Sequence, residues 1–196
     1  MWKASQNQRA GIQGVLPDAI RVDARWYDMW READLAALAA VAGRFDQMIF
    51  PPQIRHMRQA RHEVPWHQDI AYQKSLGARG HRRLLTCFVP LNDEPSRHPT
   101  LEFACAPVAG PVEHVDGGVF HNVMRETAFA ETRVFDLELG DVLLFGDLIP
   151  HRTFVRPGEV PSRVSMEFRL TAAEYRVPGK DYFDLTAQRF YQAEAA

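Results

Sequence analysis

Two side chains that could bind a metal ion lie in the segment 64–69, whose sequence is Val-Pro-Trp-His-Gln-Asp. His67 and Asp69 are two residues apart, so on an extended segment both side chains leave the same face. His151 follows a run, residues 141–147, that predicts a strand, and it can supply a third ligand. Two histidines and one carboxylate, with coordination positions left open, are the ligand set of non-haem Fe(II) oxygenases. These three residues therefore predict an iron site.

Most of the chain is expected to form β structure. One helical segment is predicted from Asp18 to Arg44, because apolar residues recur there at helical spacing. Pro51 and Pro52 are expected to break the chain after it. Turns rich in glycine and proline then separate short strand-like runs. Strands are predicted at residues 54–60, 84–91, 100–105, 132–138, 141–147 and 162–170, and a short terminal helix at 184–193.

The run 162–170 shows the clearest alternation of apolar and polar residues. Its apolar face is expected to carry Val164, Met166, Phe168 and Leu170, and its polar face Arg163, Ser165, Glu167 and Arg169. If the apolar face packs against other elements, the polar face points into the interior of a barrel.

One helical segment followed by many short strands predicts a single mainly β (α+β) domain over residues 1–196, with its core at about 50–170. Metal ligands on separate strands need a closed, rigid frame that holds them a few ångströms apart. A double-sheet jelly roll of the cupin type, flanked by N-terminal helices, meets this need and is the expected fold.

Composition is typical of a globular protein. The 196 residues can form one domain with a sizeable core, and no apolar run approaches the roughly 18 residues that cross a bilayer. A formal net charge of -2 gives no general attraction to nucleic acid or acidic lipid. The first residues lack the apolar core of a secretory signal, and the two cysteines do not predict a disulfide framework, so a cytoplasmic location is expected.

Several stretches, taken in order, resemble the phytanoyl-CoA dioxygenase family, whose members are Fe(II)- and 2-oxoglutarate-dependent oxygenases on a double-stranded β-helix. The resemblance covers roughly residues 50–170. The matching stretches are Pro65-Trp66-His67-Gln68-Asp69 with Tyr72, Phe88-Val89-Pro90-Leu91-Asn92-Asp93, Leu139-Gly140-Asp141-Val142-Leu143-Leu144-Phe145, His151-Arg152-Thr153 and Arg163-Val164-Ser165. The first of these motifs is the most specific.

The resemblance implies a role for individual residues. His67, Asp69 and His151 would hold the iron and leave three positions for 2-oxoglutarate and dioxygen. Arg163 stands where the family has a basic residue that binds the far carboxylate of 2-oxoglutarate, and a guanidinium can bind a carboxylate through two parallel hydrogen bonds. Thr153 lies where its hydroxyl could donate to the same carboxylate, although an ordinary strand position is an equal alternative.

The resemblance also implies the reaction. Phe88 matches an aromatic position that packs beside the co-substrate. Related halogenases replace the carboxylate ligand with a small residue so that chloride can bind, so the presence of Asp69 favours hydroxylation. The implied reaction couples oxidative decarboxylation of 2-oxoglutarate to hydroxylation of an unactivated C–H group by dioxygen. The implied substrate is a small metabolite or natural-product precursor.

Basic residues flank the metal motif and leave the charge of the substrate open. If several of them face the pocket mouth, an anionic substrate is favoured; if they form a solvated surface, they carry no such information. These residues are Arg55, Arg58, Arg61, His62, Arg79, His81, Arg82 and Arg83. Arg169, on the polar face of the run 162–170, is a further candidate for substrate contact.

Two other interpretations stay open. A cupin-type metalloenzyme that does not use 2-oxoglutarate would keep the three ligands but not need Arg163, which could then pair with Glu167. A non-catalytic ligand-binding β domain would need neither the three ligands nor Arg163.

The chain also lacks the Asn-Gly and Pro-Gly-Ser-His signatures of the family and is shorter than typical members before the metal motif. A homodimer that completes the pocket is therefore one expectation for its assembly, and no nucleic-acid or membrane partner is expected.

Overall fold

A computed structural model describes most of the chain, namely residues 14–15, 24–57, 63–71, 84–105, 108–117, 120, 122–125, 128–159, 162–176 and 179–194. This part contains two α helices, α1 (Ala24–Glu32) and α2 (Ala36–Ala42), and short 3-10 helices at Pro95–Arg97 and Ala173–Tyr175, with a further 3-10 turn at residues 69–71. No helix in these ranges has the length and apolar character needed to cross a membrane.

Most of the regular structure is β. The strands of the described residues are β1 (Gly14–Val15), β2 (Gln47–Met57), β3 (Leu84–Pro90), β4 (Thr100–Ala104), β5 (His114–Val115), β6 (Val123–Met124), β7 (Thr132–Val134), β8 (Leu143–Gly146), β9 (His151–Phe154), β10 (Arg163–Thr171), β11 (Asp181–Asp184) and β12 (Arg189–Gln192). All pairings between them are antiparallel.

The strands form one large sheet, one small sheet and a separate hairpin. The large sheet has the order β12-β11-β2-β10-β3-β8, with β1 pairing with β2 outside this path. The small sheet has the order β7-β4-β9, and His67 extends it through a bridge to His151 at the start of β9. The hairpin consists of β5 and β6.

The strand order defines a jelly roll. In chain order the frame consists of β2, the His67 segment, β3, β4, β7, β8, β9 and β10. Within the frame, the large sheet has the order β2-β10-β3-β8, and the small sheet has the order His67 segment-β9-β4-β7. These are the first, eighth, third and sixth segments of the frame in one sheet and the second, seventh, fourth and fifth in the other. Because the chain crosses repeatedly between the sheets, segments that are far apart in the sequence line one interior. The mainly β jelly roll with N-terminal helices agrees with the sequence prediction.

The main apolar core lies on the outer face of the large sheet, where α1 and α2 cover it. Trp30 of α1 packs edge-to-face on Phe168 of β10, with 5.4 Å between ring centroids. Met48, Leu170 and Phe183 in the same cluster are fully buried. The apolar side chains of β10 therefore face the helices, and its polar side chains face the interior between the sheets, as the alternation predicted.

The helical segment is divided in two. The Asp34 carboxylate accepts a hydrogen bond from the amide of Ala36 (3.1 Å) in the turn between α1 and α2, a local side-chain contact that competes with helical hydrogen bonding and interrupts the predicted helix. The apolar face is consequently not continuous across the break: Trp30 and Leu35 are buried, whereas Val41 is 74% exposed. Residues before Ala24 in the predicted helix lie outside the described residues.

The prediction that Pro51 and Pro52 break the chain is wrong, since β2 runs through both residues. Neither proline has an amide hydrogen for a sheet ladder. The sheet accommodates them by a register shift, because Glu167 pairs with Gln53 whereas Arg169 pairs with Ile49. The two prolines thus produce an irregularity within β2 and not the end of an element.

The predicted terminal helix at 184–193 is also wrong, because β11 and β12 form a hairpin there. The Asp184 carboxylate accepts hydrogen bonds from the amides of Thr186 and Ala187 (2.9 and 2.8 Å), and Gln188 adopts a positive φ of 48°. These features form a turn, and β11 then gains a ladder on the edge of β2. Burial of aromatic side chains on that edge overrides a weak helical preference.

Truncating the outer core should destabilise the protein strongly. Leu170→Ala removes a fully buried side chain beneath the helices and is expected to lower the free energy of unfolding by about 2–5 kcal/mol. Urea denaturation followed by circular dichroism measures the change. Val41→Ala, on the exposed face of α2, serves as the control and should change stability by no more than about 0.5 kcal/mol.

Candidate metal centre

A backbone bridge joins His67 to His151. The amide of His67 donates to the carbonyl of His151 (3.0 Å), and the amide of His151 donates to the carbonyl of His67 (2.9 Å). Residues that exchange both hydrogen bonds in this way lie directly opposite each other and project their side chains from the same face. The two imidazole rings accordingly lie 4.2 Å apart, measured between centroids.

Asp69 completes a group of three buried potential ligands. One potential ligand atom from each of His67, Asp69 and His151 lies within 4.8 Å of the other two. Nε2 of His67 and Oδ1 of Asp69 are 3.8 Å apart. Each of the three residues is at most 4% exposed. The structure thus brings together the three residues that the sequence predicted as iron ligands.

Hydrogen bonds orient both imidazole rings. Nδ1 of His67 lies 2.9 Å from the carbonyl oxygen of Pro65, and Nδ1 of His151 lies 2.9 Å from that of Ile149. A carbonyl oxygen only accepts, so each Nδ1 carries the proton and donates it. Each Nε2 therefore carries the lone pair that can bind a metal, and the hydrogen bonds hold the rings in that tautomer.

The electrostatics of the group favour metal binding at neutral pH. Burial lowers the pKa of His67 from 6.5 to about 3, and the neighbouring His151 acts in the same direction. Burial likewise lowers the pKa of His151. Burial acts to raise the pKa of Asp69, but Arg169 and the two histidines outweigh it and hold that pKa below its usual range. Two neutral imidazoles and one carboxylate result, and these are the protonation states in which such groups bind metals.

Both oxygens of Asp69 also accept hydrogen bonds from the large sheet. Thr86 of β3 donates its hydroxyl to Oδ2, and Nη2 of Arg169 of β10 lies 3.2 Å from Oδ1. The strand alternation predicted that Arg169 lies on the interior face, where it was a candidate for substrate contact. In the structure it contacts Asp69. Thr86 was not predicted, because no motif marks a threonine in the middle of an apolar run.

A small interior cavity adjoins the two histidines, and it also contains the predicted co-substrate residues Arg163 and Thr153. Its lining residues are Arg55, Val64, His67, Leu101, Phe145, His151, Thr153, Arg163 and Glu167. They come from both sheets, so the cavity lies in the interior of the jelly roll. Phe88 is buried next to this cavity, packed with Leu101 and Phe145.

Arg163 is 4% exposed and only partly satisfied. Its Nη1 donates to the carbonyl of Thr100 (3.0 Å), and the guanidinium carbon lies 5.1 Å from the centre of the Phe88 ring. Its Nε has no hydrogen-bond partner among the described residues. Burial lowers the pKa of Arg163 to about 10, so the side chain stays cationic at neutral pH.

Glu167 pairs with Arg55 and not with Arg163. Nη2 of Arg55 lies 3.1 Å from Oε2 of Glu167, and both side chains are at most 15% exposed. Nε of Arg55 also lacks a hydrogen-bond partner within the described residues. The cavity therefore contains two guanidinium groups and one carboxylate besides the metal-ligand group.

Thr153 occupies the interior in a defined orientation. Its Oγ1 accepts a hydrogen bond from the amide of Val64 (3.1 Å). The acceptor role leaves the hydroxyl hydrogen available to donate into the cavity.

Gln68 anchors residues 64–69, called the metal segment below, from the face opposite His67. Its side chain donates to the carbonyl of Leu148 (2.7 Å) and accepts from the amide of Val112 (2.9 Å). Its own amide donates to Nε2 of His114 (3.0 Å). No sequence motif marks His114 as a partner of this segment, because only the fold brings residues 110–114 to it.

Of the basic residues predicted to flank the metal motif, Arg55 on β2 lies in the interior and lines the cavity. The others in the predicted group lie outside the described residues: Arg58, Arg61, His62, Arg79, His81, Arg82 and Arg83.

Comparison with known proteins finds similarity in three-dimensional structure but not in sequence. No protein-family model matches the chain, and neither does any curated protein. The epimerase SnoN, in complex with Fe3+, alpha ketoglutarate and nogalamycin RO, matches with a TM-score of 0.55 at 15% identity, over 90% of this chain and 70% of that chain. ThoJ, a non-heme monooxygenase in its apo form, matches with a TM-score of 0.58 at 16% identity, over 87% of this chain and 62% of that chain. SnoK, a non-heme alpha ketoglutarate dependent carbocyclase from nogalamycin biosynthesis, matches with a TM-score of 0.57 at 12% identity, over 100% and 71%.

These likenesses confirm the fold, which is shared with non-haem iron enzymes. The chain spans 62% to 71% of the length of the three solved chains. An epimerase, a monooxygenase and a carbocyclase are among them, so the shared fold does not by itself select one reaction. The resemblance to the phytanoyl-CoA dioxygenase family stays a prediction, because no family model matches.

The metal-free protein should lose stability as the pH falls below about 6.5. The pKa values of His67 and His151 are lower in the folded protein than the unfolded value of 6.5, so the unfolded chain takes up protons that the folded site excludes. This contribution is complete above pH 6.5 and is lost progressively toward the folded pKa, with a slope of up to about 1.4 kcal/mol per pH unit for each histidine. Urea unfolding with a chelator, at a series of pH values between 7 and 4.5, measures the slope. His151→Gln should reduce it; an unchanged slope would contradict this account.

Proposed function

We propose that this chain is an Fe(II)- and 2-oxoglutarate-dependent oxygenase. The observation that carries the proposal is one buried cavity that adjoins the ligand group and contains the under-satisfied guanidinium of Arg163. Two neutral imidazoles and one carboxylate, His67, His151 and Asp69, suit Fe(II) with coordination positions left open. The fold shared with non-haem iron enzymes is consistent with this assignment.

The charge of the cavity supports an anionic co-substrate. Arg55 and Arg163 carry two positive charges, and Glu167 supplies one negative charge. A buried charge is costly unless a partner compensates it. A carboxylate that accepts from Nε of Arg163 would satisfy the orphaned donor and balance the excess charge.

Three residues are proposed to hold 2-oxoglutarate. Arg163 binds its far carboxylate, Thr153 donates its hydroxyl to the same group, and Phe88 packs against the guanidinium and fixes its plane. When bound, the iron supplies the activation of dioxygen that accompanies oxidative decarboxylation of the co-substrate. The protein's own part is to orient the ligands, hold the co-substrate and exclude water from a buried site.

The proposed outcome is hydroxylation of an unactivated C–H group in a small metabolite or natural-product precursor. Asp69 supports this choice, because a carboxylate in the third ligand position leaves no place for chloride. The natural-product enzymes among the structural neighbours, including two from nogalamycin biosynthesis, support the substrate class. An anionic substrate is an extension of this proposal, supported by Arg55, the residue of the predicted basic group that lines the cavity.

Addition of Fe(II) and 2-oxoglutarate without oxygen should produce a weak visible charge-transfer band in the purified protein. His67→Ala and Asp69→Ala each remove a ligand and should abolish it, whereas His98→Ala should leave it unchanged, because His98 contacts the carbonyl of Ser162 outside the cavity lining. Anaerobic absorption spectroscopy makes the measurement. Absence of the band in folded wild-type protein would overturn the proposal.

Arg163→Gln should raise the KM for 2-oxoglutarate by about 100-fold or more, because it removes a buried charged partner of the co-substrate. Arg125→Gln, in an exposed ion pair with Glu113, is the matched control and should leave KM unchanged. Succinate release, assayed with a panel of amino acids, phosphonates and acyl thioesters, measures both variants.

The two other interpretations give different results. A metalloenzyme that does not use 2-oxoglutarate would keep its activity in Arg163→Gln. A non-catalytic β domain would bind no stoichiometric iron, and Fe(II) with 2-oxoglutarate would not raise its melting temperature.

A further inference from the structure

We infer that Thr86 and Arg169 act as a two-point clamp that makes Asp69 a one-oxygen ligand and so keeps a coordination position open for the co-substrate. Both are positioning residues, since neither reaches the cavity lining. The inference rests on the proposed function, because it concerns how the same metal site is prepared.

The first observation is that each oxygen of the Asp69 carboxylate has a separate partner. Oδ1 faces the histidines, 3.8 Å from Nε2 of His67, and also accepts from Nη2 of Arg169 at 3.2 Å. Oδ2 accepts from the hydroxyl of Thr86. An ionised carboxylate only accepts, so the Thr86 hydroxyl must direct its hydrogen at Oδ2.

Both partners of the Asp69 carboxylate come from one position in the large sheet. Thr86 of β3 and Arg169 of β10 are directly paired across the ladder. Paired residues project from the same face of a sheet, so both side chains point across the interior at the metal segment. The metal segment belongs to the small sheet, and the clamp therefore spans the two sheets.

Burial makes the Thr86 contact hard to replace. Thr86 is 1% exposed and Asp69 is 3% exposed, so water has little access to substitute for the hydroxyl. Because Oδ1 is the oxygen near Nε2 of His67 and Oδ2 is bound to Thr86 of the opposite sheet, a metal held by His67, His151 and Asp69 would bind Oδ1. Two imidazoles and one oxygen then occupy three positions of an octahedron and leave three, enough for a two-point co-substrate and dioxygen. A two-oxygen carboxylate would leave only two.

Arg169 supplies the complementary charge. Its side chain is 15% exposed, and it compensates the buried carboxylate where Thr86 contributes only a neutral dipole. Partners of this kind, which hold a metal ligand without touching the metal, change metal affinity by about 10–100-fold when they are removed. The two residues therefore have different roles. Arg169 supports metal binding, and Thr86 limits the Asp69 carboxylate to one ligand oxygen.

Thr86→Val tests the geometric part, because it removes the hydroxyl with little change in shape. We expect the variant to bind Co(II) stoichiometrically but with an altered d–d absorption spectrum, and to bind 2-oxoglutarate about tenfold or more weakly. Thr86→Ser restores a hydroxyl and should restore both properties. Thr86→Ala removes the hydroxyl with a smaller side chain and replaces Thr86→Val if that variant does not fold.

Thr171→Val is the matched control. Thr171 is a buried threonine on β10 whose hydroxyl has no hydrogen-bond partner within the described residues. The same substitution there should leave the Co(II) spectrum and the affinity for 2-oxoglutarate unchanged. If Thr86→Val behaves like Thr171→Val, the clamp is refuted although the proposed function stands. If the wild-type protein binds neither metal nor 2-oxoglutarate, both fail.

Arg169→Met tests the charge part and should weaken Co(II) binding by about 10–100-fold, as measured by competition with a chromophoric chelator. Arg169→Lys keeps the charge and should recover most of the affinity. Equal affinities in wild type, Arg169→Met and Arg169→Lys would overturn the assignment of Arg169.

Discussion

The geometry of the site depends on the backbone bridge between His67 and His151. This pair of hydrogen bonds fixes which residue of the metal segment lies opposite His151, and a shift of that segment by one residue would turn the His67 imidazole to the other face. On its opposite side His151 pairs with Phe103 of β4, whose ring stacks on the imidazole with 5.7 Å between centroids. His151 is therefore held by both neighbouring segments of the small sheet. Asp69 lies two residues further along, where a 3-10 turn begins, and hydrogen bonds from Thr86 and Arg169 hold its carboxylate.

A second constraint is the separation of the main apolar core from the charged side chains between the sheets. The residues that stabilise the fold, such as Phe168 and Leu170, lie between the large sheet and the helices. The opposite face of the same strand presents Arg163 and Glu167 to the space between the sheets. Because burial outside the barrel supports the fold, the interior can contain several charged groups. Those charges remain tolerable because Arg55 pairs with Glu167, and Arg169 pairs with Asp69.

The sequence predicted best where a local pattern has one physical meaning. His67 and Asp69 share a face at any strand position, and strict alternation places Arg163 opposite the apolar row. It predicted poorly where other contacts decide between close alternatives. The residues 184–193 have a weak helical preference that the edge of β2 overrides, and Asp34 interrupts a segment whose apolar spacing alone predicts one helix. Pairing partners for a new strand, or a competing side-chain acceptor, cannot be read from spacing alone.

The sequence by itself determined the group of potential metal ligands, the jelly roll and the polar face that carries Arg163, since these follow from side-chain chemistry and periodicity. Only the tertiary structure decided which groups meet across the interior. It pairs Arg55 with Glu167 and directs Thr86 at Asp69, contacts between segments far apart in the chain. The physical reason is that periodicity specifies the face of a strand, whereas the partner opposite that face depends on sheet register and on how two sheets stack.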